Sequence, residues 1–515
     1  MKKVALLTLF ITLVTSIMAQ SIVLLEAKNN LWPRRAYVYG TYADQDADNA
    51  YYILHSRTSD GFAPKTWTDH IFTIDKNSME TNGDVAITVS NKHNLQEALV
   101  SDNNVIVLYS SLNKKGDQVT FTAASIDKND KSITLSEANS VTTSANSRFW
   151  PEYKSAKSPD GKMMAALVMV TGKNRQLENL FAVVVNDQGE FVWSGPVAPQ
   201  FGGKTFSLGN LAVDNEGNIY IPAYTCQMSG NNVSNVNFMM IRTNGDGTQS
   251  FTESVNFGTP QNFTAKVLKD GNLVVGGYYT DSKTNTATQS SGYFFYKFDN
   301  RSESFSDLKA FKFSENYVEK AAWARFATVL GNQQYSISAD NIYELENGSL
   351  VLCGEHRFIK EIYNAQMNST SYQMLTKNIL VSTLLPDGDS KFTMIEKQQT
   401  AGIQMYPPDD WKPSSISYSA FVRGNDMYFL FNDDPKNIPY PGKGVVCYPM
   451  GITFSKNWES VLMRLTPDQK LTQRVLPDPN QLLRGVEFTD GENLYATGVG
   501  KKQFFLTKYS INEYE

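Results

Sequence analysis

The stretch Ala265–Phe305 reads AKVLKDGNLVVGGYYTDSKTNTATQSSGYFFYKFDNRSESF. A short apolar strand runs into a tight turn at Lys269-Asp270-Gly271-Asn272, and a second strand follows over Leu273–Tyr279. After a polar loop comes a third strand, Tyr293–Phe298, and a turn at Asp299-Asn300 leads to a fourth, more polar one near Ser304. Asn and Gly accept the positive φ of the hairpin turns that match strand twist, so the segment predicts four antiparallel strands in one sheet.

The same pattern recurs along the chain. An Asp, Asn and Gly-rich turn precedes a strongly apolar strand at Ser101–Asn104, Ser158–Gly161, Asp214–Asn218, Lys269–Asn272, Glu346–Gly348, Arg423–Asn425 and Thr489–Glu492. Most of these units carry a third strand ending in another turn, as at Leu180–Val185 before Asn186-Asp187-Gln188-Gly189. Helical stretches between the strands, which would signal parallel βαβ units, are largely missing. Four-stranded antiparallel sheets repeated at a spacing of roughly 55 to 80 residues predict an all-β fold, a β-propeller. One such sheet buries neither face alone; packed radially, each blade covers its neighbours and the ring protects its edges.

The last repeat, Val486–Ile511, supplies three strands, and Ile22–Ala27 is the candidate for its outer fourth. With Ala36–Val89 as an irregular first blade the count is eight; if that stretch instead donates one strand and decorates the ring, it is seven. Insertions are expected near 314–340, 358–377 and 436–458. The first contains Ser314–Leu330, with apolar residues at helical spacing.

Residues 1–20 read as a signal peptide. Lys2-Lys3 precede an apolar Val4–Ile17, and Met18-Ala19-Gln20 resembles a cleavage site. No cysteine follows to carry a lipid anchor, and residues 21–515 are expected to form a single propeller domain without a membrane span. Hydrophobic content of 41% supports a large core, while a net charge of −5 and the lack of long basic runs argue against nucleic acid as a partner. Cys226, Cys353 and Cys447 are too few for a disulfide scaffold, although one pair could bond.

Phrases such as Asp270-Gly271-Asn272-Leu273-Val274-Val275-Gly276-Gly277 and Gly217-Asn218-Ile219-Tyr220-Ile221 resemble those of bacterial exported repeat propellers. The Ala19-Gln20 signal end and the Asn, Lys and Tyr-rich composition resemble a Bacteroidetes protein. The resemblance implies blades and export to the periplasm or cell surface; it carries no catalytic residue.

Candidate chemistry is sparse. Asp44, Asp46 and Asp48 alternate carboxylates as a calcium loop does, but His55 stands where such a loop ends in Glu, and a solvated hairpin explains the cluster equally well. His55, His70, His93 and His356 form no metal-binding spacing. Glu355-His356-Arg357 reads as a strand-end salt bridge that could also line a pocket. Asp409-Asp410 and Asp433-Asp434 read first as turn formers. No Gly-x-Ser-x-Gly, Walker A or dinucleotide motif is present.

Trp150, Tyr153, Tyr406, Trp411 and Tyr440 lie beside Pro and acidic residues. Such aromatics form rigid platforms for a protein partner or a sugar ring; packing between blades is the competing reading. These features favour a non-enzymatic scaffold for a protein partner in the envelope. The alternative is a carbohydrate-active or other hydrolytic propeller with carboxylates at its central channel.

Overall fold

A computed structural model describes residues 20–511 other than 27–37, 59–65, 90–92, 114–116, 139, 143–150, 172–176, 200, 202–203, 231, 282–289, 314–334, 365–368, 405–416, 441–449, 452–457, 477–481 and 500–502. Residues 1–19 of the expected signal peptide 1–20, the expected helical insertion over 314–330, and the pair Asp409-Asp410 lie outside the described residues, as does Cys447, whereas Gln20 begins a strand. Among the described residues the only helical element is the turn Pro435–Asn437, and no helix is long and apolar enough to cross a membrane.

The strands pair into eight sheets, of which seven are blades built from consecutive strands. The first blade is Val38–Gln45, Asn49–Thr58, Thr66–Asp75 and Thr81–Val89. The second is His93–Val100, Asn104–Leu112 and Gln118–Asp127, with its outer position split between Ile133–Glu137 and Val141–Thr142. The third is Glu152–Lys157, Met163–Thr171, Leu177–Asn186 and Phe191–Pro196. In the fourth, Thr205–Leu208 and Ala212–Val213 share the inner position before Ile219–Ser229, Asn232–Thr243 and Thr248–Ser254.

The stretch that predicts the fold forms most of the fifth blade: Thr259–Val267, Leu273–Thr280, Gly292–Asp299 and Ser304–Lys312. The sixth is Tyr335–Glu344, Leu350–Asn364 and Ser369–Leu384, with Ser390–Ile395 and then Gln399–Gln404 on its outer side. The seventh is Ser419–Arg423, Asp426–Asp433, Glu459–Leu465 and Leu471–Val475.

The remaining sheet is composite. Leu482–Thr489, Asn493–Val499 and Gln503–Ser510 are completed on the outside by Gln20–Glu26, antiparallel to Gln503–Ser510. This is the closure expected of the N-terminal strand, since the two ends of the chain meet in one sheet.

First strands of successive blades lie against one another from the first blade to the sixth, and from the seventh through the closing sheet to the first; between the sixth and seventh, Tyr343 Oη donates to Ala420 O at 2.8 Å. Apolar clusters fill the seams. Leu108 and Phe121 of the second blade meet Val168 and Val183 of the third, and Phe238 of the fourth meets Phe294 and Tyr296 of the fifth. Each such side chain contributes roughly 1.5–3 kcal/mol by leaving water. Inner-strand polar groups add ties across the seams. Ser155 Oγ donates to Gln96 O at 2.9 Å, Lys154 Nζ to Gly209 O at 2.8 Å, and Asn262 Nδ2 to Ile337 O at 2.7 Å.

The turn chemistry repeats as well. Asp214 accepts from the amides of Glu216 and Asn218 and from Tyr220 Oη at 2.9 Å. Asp46 and Asp490 do the same toward Tyr51 and Tyr495. One carboxylate thus caps the hairpin and fixes the second strand's aromatic ring. Gly217, at φ +84°, supplies the left-handed residue that this turn needs.

The sixth blade departs from the pattern. Its second and third strands run 15 and 16 residues, whereas no described second or third strand elsewhere exceeds the 12 residues of Asn232–Thr243. The excess is a hairpin arm that outruns the blade. Met450–Gly451, from the seventh blade's insertion, pairs in parallel with Gln399-Thr400 and laces the two blades together.

Candidate functional site

The arm leaves the blade where the pairing breaks. Register shifts between Glu355 and Arg357 of the second strand, where His356 stands opposite both Lys377 and Asn378, so the third strand carries the bulge. The outer side is interrupted at the same level. Ser390–Ile395 pairs with Ile379–Leu384, and after Glu396-Lys397-Gln398 the chain resumes as Gln399–Gln404 beside Tyr372–Thr376. Ladder groups lost at such breaks need other partners, and a charged cluster occupies this one.

Glu355 and Lys397 are completely buried, and Lys397 Nζ lies 2.5 Å from Glu355 Oε1. The other carboxylate oxygen accepts from Arg357 Nε at 3.0 Å and Ser417 Oγ at 2.6 Å. Arg357 also pairs with Asp340 Oδ1 at 3.0 Å, and Tyr418 Oη donates to Asp340 Oδ2 at 2.9 Å. Gln399 Oε1 accepts from Lys397 Nζ, Thr376 Oγ1 and the Ser417 amide, while its Nε2 donates to Asn432 O at 2.7 Å. The cluster therefore joins four strand positions of the sixth blade to the start and the second strand of the seventh.

Burial dominates its titration. It pulls the Lys397 ammonium below its ordinary value despite the attraction of Glu355. It pushes the Asp340 carboxyl up against the pull of Arg357. Burial alone would lower Arg357, but Asp340 and Glu355 outweigh it and hold the guanidinium above its usual range. Asp433 is buried beyond Lys397; burial raises its carboxyl to about 6, against hydrogen bonds from Asn437 and the Asp434 amide. His356 is lowered to about 4, first by burial and then by Lys377. Both oxygens of Asp340 and Oε2 of Glu355 thus have protein donors, and Glu355 Oε1 faces the Lys397 ammonium, an arrangement suited to fastening blades.

The sequence candidates fall in separate places. Tyr153 packs edge-on to Phe121, ring centroids 6.4 Å apart, within the seam of the second and third blades. Tyr440 packs into the seam of the sixth and seventh, where its hydroxyl bonds Glu396 Oε2 and accepts from the Glu396 amide at 3.2 Å. Trp150, Tyr406 and Trp411 lie outside the described residues. Asp44, Asp46 and Asp48 occupy the first hairpin of the first blade. The Asp46 carboxylate accepts from the Asp48 and Asn49 amides, from Tyr51 Oη at 2.8 Å and from Lys128 Nζ at 2.7 Å. Lys128 belongs to the second blade, so this contact crosses a seam. Among the described residues no group of three or more His, Cys, Asp or Glu gathers as metal ligands. His70 pairs with Asp84 at 3.1 Å. Cys226 and Cys353 are free and buried.

Of the acidic pair Asp433-Asp434, only Asp434 acts as a turn former, capping Pro435–Asn437. Glu355 and Arg357 form the salt bridge read from the sequence, but within the strand Leu350–Asn364 and not at its end. Asp340, Lys397, Gln399 and Ser417 carry no motif, because distant strands deliver them.

The chain matches no family model and no curated protein. Among solved structures it is similar, at 10% identity, to a streptogramin B lyase over 81% of this chain and 93% of that one, with a TM-score of 0.31. It is similar to the polysaccharide lyase Uly1 at 11% identity over 80% and 89%, with a TM-score of 0.38. It is also similar to the β-propeller domain of the trilobed protease from Pyrococcus furiosus at 10% identity over 74% and 98%, with a TM-score of 0.34.

Proposed function

We propose that this chain is an exported, non-enzymatic propeller scaffold that holds a protein partner in the periplasm or at the cell surface. The observation that carries the reading is the sixth-blade arm. Two strands of 15 and 16 residues project past their blade, with Tyr363 63% exposed near the tip. An exposed aromatic side chain on an anchored hairpin is what a partner strand or loop engages. The lysine-led apolar start of the sequence supports export.

The test is affinity purification of the tagged chain from its native envelope, beside a variant in which 360–373 is replaced by an Asn-Gly turn. A stoichiometric partner recovered with the intact chain and lost with the variant is the expected result. Recovery of the intact chain alone overturns the reading.

A hydrolytic or carbohydrate-active reading has one observation in its favour: Asp340, on an inner strand and 23% exposed, shares Arg357 with Glu355. It requires glycan cleavage by the wild-type chain that Asp340→Asn abolishes.

A further inference from the structure

The base of the arm has the geometry of a hinge. Three pairing defects lie at one level of the sixth blade. The inner strand shifts register between Ala339 and Asn341, the second strand between Glu355 and Arg357, and the outer side is interrupted at 396–398. Beyond that line the described part of the inner strand reaches Tyr335, opposite Phe358. The sheet then continues as residues 357–364, 369–376 and 399–404. A sheet bends where its ladder is broken, and here the breaks align across its width.

The gap along this line is filled by charge. Lys397 and Glu355 meet there, and Thr376, Gln399 and Ser417 close around them. Ser417 itself is strained: its φ is +94°, a region that side-chain-bearing residues rarely adopt. Its amide bond to Gln399 Oε1 and its hydroxyl bond to Glu355 Oε2, both 2.6 Å, hold it there. Strain of this kind persists only where surrounding contacts over-determine it.

We propose that residues 357–364, 369–376 and 399–404 move as one arm about this line, and that the Glu355–Lys397 pair with its hydrogen-bonded neighbours, beside the two-residue ladder of Gln399-Thr400 to Met450–Gly451, is the lock that fixes the arm against the seventh blade. As a means of presenting the arm to a partner, the device rests on the function proposed above; as a mechanical property it belongs to the free chain. A buried ion pair adds little net stability over apolar replacement, yet its directional bonds specify one arrangement. Replacing both partners with neutral side chains should therefore spare the ring and release the arm.

Amide hydrogen exchange read by mass spectrometry tests this on the full chain. In Glu355→Gln/Lys397→Met, amides of 357–364 and 369–376 should exchange about tenfold faster or more, while those of Leu273–Thr280 keep their wild-type protection. In the wild type, low denaturant should reveal a shared opening of the arm's amides with a smaller denaturant dependence than global unfolding, which needs no variant to fold. Unchanged arm protection in the double variant overturns the proposal. So does wild-type exchange of the arm only together with the blades. Both readouts omit the partner, so failure to capture one bears on the scaffold reading alone.

Discussion

Lys397 Nζ and Glu355 Oε1 lie 2.5 Å apart with both side chains wholly removed from water. Removing one member strands the other in a low-dielectric seam, which costs about 3–5 kcal/mol. Glu355→Gln and Lys397→Met should each lower the urea midpoint accordingly, and the double variant should recover much of the loss. The exposed pair Lys312–Asp281, at 3.6 Å with side chains 75% and 56% accessible, is the contrast. Lys312→Ala should cost under about 1 kcal/mol. Additive losses in the Glu355 and Lys397 cycle would refute the coupling.

The same seam makes stability depend on pH in two opposed ways. Asp433 is raised from 3.8 to about 6 by burial, so between those values the folded state holds a proton that the unfolded chain has lost. Its contribution is present at low pH, declines as pH rises through that window, and is gone above it. A shift of this size corresponds to roughly 3 kcal/mol. Asp433→Asn keeps an acceptor for Asn437 and the Asp434 amide, and should remove that decline. His356, lowered to about 4 by burial and Lys377, works the other way: the unfolded chain takes up a proton first, so stability falls as pH drops from 6.5 toward 4. Denaturation midpoints of the wild type, Asp433→Asn and His356→Gln across pH 4–7 separate the two. A variant Asp433→Asn with the wild-type slope above pH 4 would count against the burial argument.

The blades were legible because hairpins are local. Lys269-Asp270-Gly271-Asn272 announces its turn, and Leu273 pairs with Phe298 as the alternating apolar runs require. Closure by the N-terminal strand was legible by subtraction, from a last repeat one strand short. The charged seam was not legible beyond Glu355-x-Arg357. Asp340, Lys397 and Ser417 come from three further places in the chain, and a buried ion network has no period. Tyr153 and Tyr440 show the matching limit: an aromatic beside Pro or Glu reads alike whether it faces solvent or a neighbouring blade, and both pack into seams.

Gly354, between Cys353 and Glu355, marks how closely the fifth and sixth blades approach the arm's base. A Cβ there would lie 2.2 Å from Ser338 O and 2.6 Å from Tyr278 Oη. The carbonyl belongs to the paired inner strand and cannot yield without breaking the ladder, so Gly354→Ala should cost at least about 1–3 kcal/mol. Gly195, with nothing within 4 Å of its Cβ position, is the control. Gly195→Ala should stay within about 0.5 kcal/mol of wild type. Thermal unfolding of the two side by side decides it; equal midpoints would mean that the close approach is not there.

Closure of the ring rests on two sets of contacts. Gln20–Glu26 pairs with Gln503–Ser510 from Gln20 opposite Lys508 to Glu26 opposite Gln503, with one bulge between Val23 and Leu25. Separately, the closing sheet is tied to the first blade: the Lys76 carbonyl accepts from Tyr495 Oη at 3.3 Å and Lys508 Nζ at 2.8 Å, and Gln45 Nε2 donates to Thr489 O at 3.2 Å. The second set survives if the first is removed, so a chain starting at residue 27 should still fold. It would, however, expose the Gln503–Ser510 edge, whose unpaired backbone groups are a template for another chain. The truncated protein should unfold at lower temperature than a chain starting at residue 20 and associate with rising concentration. A peptide of residues 20–26 added in trans should raise its midpoint and suppress association, because it restores the missing ladder. Ile22→Pro, which removes one backbone donor from the strand, should fall between the two. Equal midpoints and elution for the truncated and full chains would show that closure depends on the seam contacts at Lys76 and not on the strand.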